Sequence, residues 1–239
     1  MAGLIGVLVN TATVLIGSFF GLLLKKGIPE RFKSSLMKGI GLCTIYIGIS
    51  SALKGENTIV LILSMVFGIL VGTLIDIDRR FNSFSEKIES RLTKNESEKG
   101  TFARGFVTAC LVFCIGSMTI VGSLQAGLNG DNEMIFIKSM LDLISSFVLA
   151  SSLGIGVMAS AAFVLLFQGA IVLLAGASAP LLTEEVINEM VCVGSLLIFA
   201  LGLDLTGIKK LKVMNYLPAI FFPIALVPLY NLLASLLAK

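Results

Sequence analysis

The chain has 239 residues, of which 56% are hydrophobic and only 14% charged, and its mean hydropathy is +0.99. Soluble domains carry about 25% charged residues, so the composition argues against a soluble domain and for an integral membrane protein. The net charge of +3 is small, Trp is absent, and no basic patch carries interleaved aromatics, which argues against a nucleic-acid partner.

About 20 apolar residues cross the hydrocarbon core of a bilayer, and a crossing backbone must satisfy its own hydrogen bonds. The apolar runs do not alternate with polar residues, so they read as helices and not as strands of a membrane barrel. The sequence therefore predicts an all-α, polytopic bundle of about eight spans in one transmembrane domain over 1–239, with two spans partly discontinuous. The first span covers 4–24. No basic residue precedes it and Lys25 and Lys26 follow it, as in a retained helix with its N-terminus outside. A short second span at 39–53 and a third at 59–77 come next. A polar stretch at 78–104 alternates sign through Glu86, Lys87, Glu89 and Arg91, as a solvated helix or linker does. The fourth span is predicted at 105–124, the fifth at 134–153, the sixth at 155–176, a short seventh at 191–205 and the eighth at 213–237. Glu184, Glu185 and Glu189 fall in the loop before the seventh. Pro218, Pro223 and Pro228 should kink the eighth.

Charge orients these spans. Lys25, Lys26, Arg31, Lys33 and Lys38 follow the first. Arg79, Arg80, Lys87, Arg91, Lys94, Lys99 and Arg104 lie in the polar stretch, and Lys209, Lys210 and Lys212 precede the last span. With eight crossings all three groups share one side, and the positive-inside rule makes it the cytoplasm, with both termini outside.

The two ends of the chain resemble each other. Gly39-Ile40-Gly41-Leu42-Cys43-Thr44-Ile45-Tyr46-Ile47-Gly48 answers to Val193-Gly194-Ser195-Leu196-Leu197-Ile198-Phe199-Ala200-Leu201-Gly202, each between longer spans. Asn10 and Gln168 fall at corresponding depths. The expected units are 1–77 and 154–239, flanking a central segment 105–153, with 78–104 cytoplasmic. Opposite orientation would make them an inverted-topology repeat, a transporter signature with the site near the repeat interface.

The polar residues concentrate in the middle of the chain. Gly116-Ser117 and Gly122-Ser123 weaken the fourth span, since Gly costs a helix about 1 kcal/mol relative to Ala. Broken helices at membrane depth supply free backbone groups to ions or polar solutes, although small residues also serve close helix packing. In the fifth span Lys138 and Asp142 share one helical face, beside Ser139, Ser145 and Ser146. An intramembrane carboxylate faces a partner or a cavity, which makes Asp142 the leading functional residue and an ion pair with Lys138 its structural alternative. Asn10, Thr11, Thr13 and Gln168 can line a cavity or bond between helices. Asp76 and Asp204 read as boundary residues.

His is absent, which removes His-based triads, HExxH zinc sites and His proton shuttles. Cys43, Cys110, Cys114 and Cys192 form no CxxC pair, and Cys110 with Cys114 reads as buried packing. There is no Walker A loop. No catalytic set, metal site or cofactor is expected.

The segment from Gly116 to Ser123, with Gly127, Gly130-Asp131, Lys138-Ser139, Leu141-Asp142, Gly154-Ile155-Gly156-Val157 and Gln168-Gly169, resembles the YdfK/YqgA-like bacterial membrane proteins, a family built on domain of unknown function 554. Gly3, Asn10 and Gly17 also fit. The resemblance implies a multi-pass protein of the bacterial inner membrane in a class described as membrane transport proteins, and it supplies no catalytic residues. The expected function is a transporter or channel for a small ion or polar solute, gradient-driven or passive. Its pathway would draw on Asn10, Gly116, Ser117, Gly122, Ser123, Lys138, Ser139, Asp142 and Gln168. The alternative is a non-transporting sensor, assembly factor or scaffold acting through 78–104. The bilayer is the expected surrounding, and a homodimer is a possible assembly.

Overall fold

The computed structural model describes residues 3–25, 30–92 and 101–237. Lys26, Lys94, Lys99, Lys239 and the segment Ile28-Pro29 lie outside the described residues. Among the described residues every element is helical. Helix α1 is Gly3–Lys25, α2 is Glu30–Ala52, α3 is Thr58–Ile75 and α4 is Ile77–Leu92. Helices α5 (Thr101–Cys114) and α6 (Ser117–Asn129) follow, then α7 (Glu133–Leu153), α8 (Ile155–Leu173) and the single turn α9 (Ala175–Ser178). The chain closes with α10 (Glu184–Thr206), a 3-10 segment η1 (Val213–Phe221) and α11 (Pro223–Leu237).

Five of these helices, α1, α3, α7, α8 and α10, are long and apolar enough to cross a membrane. The count reaches seven when α5 with α6, bent by 59°, and η1 with α11, bent by 48°, each make one span. Their outer faces carry Ile62, Leu70, Leu74, Met140, Ile144 and Leu166, all more than half exposed. Such a surface is stable only against lipid, and the bilayer is the surrounding of this protein.

Local chemistry sets the ends of several helices. Asn57 caps α3, its side chain accepting from the backbone N–H groups of Ile59 and Val60. Asp76 closes α3 in the left-handed region (φ 52°), where its own N–H reaches back to Gly72 and Thr73. The chain then turns directly into α4, whose Phe81 ring packs 5.6 Å from Phe106 of α5. Burial holds the Asp78 carboxyl above its usual pKa, with Lys212 pulling the other way. Nearby, the Asp78 backbone N–H donates to Asn215 Oδ1 at 2.8 Å, tying α4 to η1.

Three expectations need correction. The seventh span is not short: α10 begins at Glu184, because Thr183 caps it and Glu184 and Glu185 occupy its positive first turn. Glu184, Glu185 and Glu189 therefore belong to a helix and not to a loop. The short second span is the later part of α2, which starts at Glu30 and does not qualify by composition as a crossing helix. The fourth span breaks once, at Ile115 and Gly116, while Gly122-Ser123 stays helical inside α6.

Packing directions follow from the contacts. The Gly6 N–H donates to Asn132 Oδ1 at 3.0 Å near the start of α7, and Gly17 lies against Leu143 and Ser146, so α1 and α7 run parallel. By contrast Gly41 lies against Gly202 and Thr206 while Gly55 meets Cys192, so α2 and α10 run antiparallel. Gly68 meets Ala219 and Gly72 meets Asn215, which sets α3 antiparallel to η1. Gly3 meets Val172 and Asn10 meets Gln168, which sets α1 antiparallel to α8.

At Gly17 an added Cβ would run into the Leu143 carbonyl and the Ser146 hydroxyl, whereas at Gly39 it would meet nothing within 4 Å. Gly17→Val is therefore expected to cost about 1–3 kcal/mol by overpacking. Gly39→Ala should be neutral or stabilising by up to about 1 kcal/mol. Thermal unfolding of both variants in detergent checks the pair.

Candidate functional site

The polar side chains of the bundle gather where α1, α5, α7 and α8 meet. Asn10 lies seven residues into α1, which places it about 10 Å from the start of the helix at 1.5 Å per residue. It is fully buried, and its Nδ2 donates to Gln168 Oε1 of α8 at 3.2 Å. The amide of Asn10 also faces the Asp142 carboxylate of α7. One turn earlier on α7, Lys138 Nζ donates to Asp142 Oδ2, and both side chains are buried. The Phe113 ring of α5 lies 5.9 Å from Lys138 Nζ, within reach of a cation–π interaction. Cys114, buried at the end of α5, is electrostatically coupled to both Lys138 and Asp142.

The break in the fourth span lies at the same place. Helix α5 stops at Cys114, and Ile115 makes one last bond to the Leu111 carbonyl. Gly116 is extended and provides no side-chain cap for α6. The Thr119 hydroxyl reaches back across the break to the Phe113 carbonyl at 2.9 Å. The two halves are thus held together by a side chain, which is how a bilayer tolerates irregular backbone.

Asn10, Lys138, Asp142 and Gln168 are brought together. Ser139 is buried but spends its hydroxyl on the Ile135 carbonyl at 2.7 Å. Gly116 forms the break itself. Ser117 opens α6, and its side chain lies outside the described residues. Gly122 serves packing, since a Cβ there would stand 3.3 Å from Met134 and Ile135 of α7. Ser123 is fully buried, and its Oγ has no hydrogen-bond partner. Asn10 Oδ1 and Gln168 Nε2 are likewise buried without partners. A buried, unpartnered polar atom costs about 1–3 kcal/mol. The single hydrogen bond between Asn10 and Gln168 thus leaves one acceptor and one donor of the amide pair open.

Two further arrangements carry no signal in hydropathy. Glu189, almost fully buried in α10, accepts from the backbone N–H groups of Glu56 and Asn57, each at 2.8 Å, and so pins the α2–α3 connection. Arg104 at the start of α5 donates through Nε and Nη2 to Asp204 near the end of α10, at 3.0 and 3.3 Å. These contacts hold α10 near its two ends. Asp204 is therefore an ion-pair partner as well as a boundary residue. The readable signal for Glu189 was a carboxylate at a helical position beyond a capped start. Among the described residues no group of three or more His, Cys, Asp or Glu side chains can hold a metal ion.

The model of the DUF554 family, proteins of unknown function, matches residues 5–228. The chain belongs to the DUF554 family. It is 36% identical over 222 residues to the uncharacterized membrane protein YdfK of Bacillus subtilis (strain 168), covering 91% of this chain and 93% of that protein. It is also 30% identical over 224 residues to the uncharacterized protein YqgA of Escherichia coli (strain K12), covering 93% of this chain and 95% of that protein. No solved structure matches. The DUF554 chain is thus a multi-pass membrane protein with bacterial relatives.

Breaking the buried pair in this DUF554 protein should show strong coupling. Lys138→Met or Asp142→Leu alone leaves an unpartnered buried charge, at a cost of about 3–5 kcal/mol. The double variant Lys138→Met/Asp142→Leu is expected to recover most of that loss. Denaturant unfolding in detergent measures the cycle, and simple additivity would mean that the two groups do not act as a pair.

Proposed function

We propose that this protein is a non-enzymatic transporter or channel of the bacterial inner membrane for a small ion or polar solute, gradient-driven or passive. The observation that carries this reading is the buried cluster of Asn10, Gln168, Lys138 and Asp142 beside the α5–α6 break, with one acceptor and one donor left open. Intramembrane charges are costly and often mark ion or solute pathways, and here both members of the pair lie buried on one face of α7.

The same reading takes the chain as eight crossings. The later part of α2 packs antiparallel along α10, with Gly41 against Thr206 and Gly48 against Phe199, and is counted as the second crossing. Both termini then lie outside, and Arg79, Arg80, Lys209, Lys210 and Lys212 lie in the cytoplasm. The units 1–77 and 154–239 form an inverted repeat within one domain. Its support is that α1, α2 and α3 each pack antiparallel against α8, α10 and η1 respectively. The hydrogen bond from Asn10 to Gln168 joins equivalent depths of the two units and would mark the pseudo-twofold axis.

Water access to the cluster tests the transport reading without knowledge of the solute. With Cys43, Cys110 and Cys192 replaced by Ser, Cys114 is the sole thiol, and a charged methanethiosulfonate reagent should modify it in the folded protein. A thiol that reacts only after denaturation would reject a hydrated path and favour the scaffold reading.

A further inference from the structure

We infer that Arg79 and Arg80 of α4, together with Lys209, Lys210 and Lys212 between α10 and η1, form a docking surface for the headgroups of anionic phospholipids. The inference needs no solute path and stands apart from the transport reading.

The fold assembles this surface from two segments distant in sequence. The Asp78 backbone N–H donates to Asn215 Oδ1 at 2.8 Å, which ties the first turn of α4 to the segment that follows the lysines. Lys210 and Lys212 stand close enough to the Asp78 carboxyl to act on its charge. Arg79 and Arg80 come directly after Asp78, and all five cations are exposed.

Their charge is not met within the protein. Among the described residues, none of the five makes a side-chain hydrogen bond or salt bridge. Of the neighbouring carboxylates, Asp204 is already paired with Arg104. Asp76 and Asp78 are left to face the five cations. A surplus of one sign of charge repels itself, and an anion from outside relieves it. Arginine forks match two phosphate oxygens at once, and the lysines add compact point charges.

The place of the cations selects a lipid over a free anion. Helices α3 and α10 are long and apolar enough to cross a membrane, and they end at Ile75 and Thr206, just ahead of the two basic segments. The cations therefore stand at headgroup level, where an anionic surface attracts basic residues. Aliphatic side chains stand beside them. Leu74 is 86% exposed and Ile208 is 68% exposed. An acyl chain covers such side chains, whereas a free phosphate leaves them bare. Helix α4 has the two-sided character that suits this level: Phe81 turns to Phe106 of the bundle, while Asn82 and Ser83 are exposed with the arginines.

The test uses the purified full chain in detergent, unfolded by heat while phosphatidylglycerol or phosphatidylcholine with the same acyl chains is added. Phosphatidylglycerol is expected to raise Tm saturably, by about 5 °C beyond phosphatidylcholine. Each cation near an anionic surface is worth about fivefold in affinity. The triple variant Lys209→Gln/Lys210→Gln/Lys212→Gln should thus raise the half-saturating concentration by about a hundredfold, and Arg79→Gln/Arg80→Gln by about twentyfold. Lys54→Gln, at the opposite end of α10, should leave it unchanged. Glycerol phosphate, the headgroup without its chains, should give no rise. Equal rises with the two lipids overturn the inference. A phosphatidylglycerol rise that survives in either folded variant overturns it as well. An equal rise with glycerol phosphate would assign the surface to a free anion and reject the lipid.

Discussion

The rest of the structure depends on a single constraint: a polar group placed inside the bilayer is costly unless it finds a partner inside the protein. Asn10 of α1 and Gln168 of α8 meet that constraint in part, through one hydrogen bond at 3.2 Å that leaves Asn10 Oδ1 and Gln168 Nε2 open. Lys138 and Asp142 meet it within one turn of α7. Because α1 lies against both α7 and α8, one helix couples the amide pair to the ion pair. The small residues of α1 make this possible. Gly17 lets its backbone approach Leu143 and Ser146 of α7 closely, in a region without a hydrophobic drive between helices.

The same constraint explains the broken span. A helix interrupted at Ile115 and Gly116 would expose free backbone groups to lipid, yet α5 and α6 sit inside the bundle, and the Thr119 hydroxyl takes up the Phe113 carbonyl. The break lies close to the charged pair, with the Phe113 ring near the end of α5 5.9 Å from Lys138 Nζ. At the edges of the bundle, Glu189 holds the backbone of Glu56 and Asn57, and Arg104 holds Asp204.

Much of the helix order was legible because α1, α3, α7 and α8 are apolar runs bounded by caps or turns. Asn57 before α3 and Gly130 before α7 are such punctuation, and the observed ends fall close to the predicted ones. The start of α10 was not legible, because hydropathy scores Glu184, Glu185 and Glu189 as loop. A capping Thr183 and two backbone N–H donors from a distant connection make them helical. The second Gly-Ser pair misled for a similar reason: Gly122 stays helical because Met134 and Ile135 fill the space beside it. Within the candidate site, the Lys138–Asp142 spacing could be read from helical periodicity. The bond between Asn10 and Gln168 could not, since 158 residues separate them and only the crossing of α1 with α8 brings them together.

The central claim is that two units of opposite orientation enclose this polar seam. The most direct measurement is the sidedness of single cysteines placed at Lys38 and at Leu181, in a background without native thiols. These positions follow the first helix of each unit, in the first half of α2 and just ahead of α10, and both are exposed. A membrane-impermeant thiol reagent added to intact spheroplasts is expected to label Leu181→Cys at once and Lys38→Cys only after permeabilisation. Labelling of both from the same face would contradict the inverted arrangement.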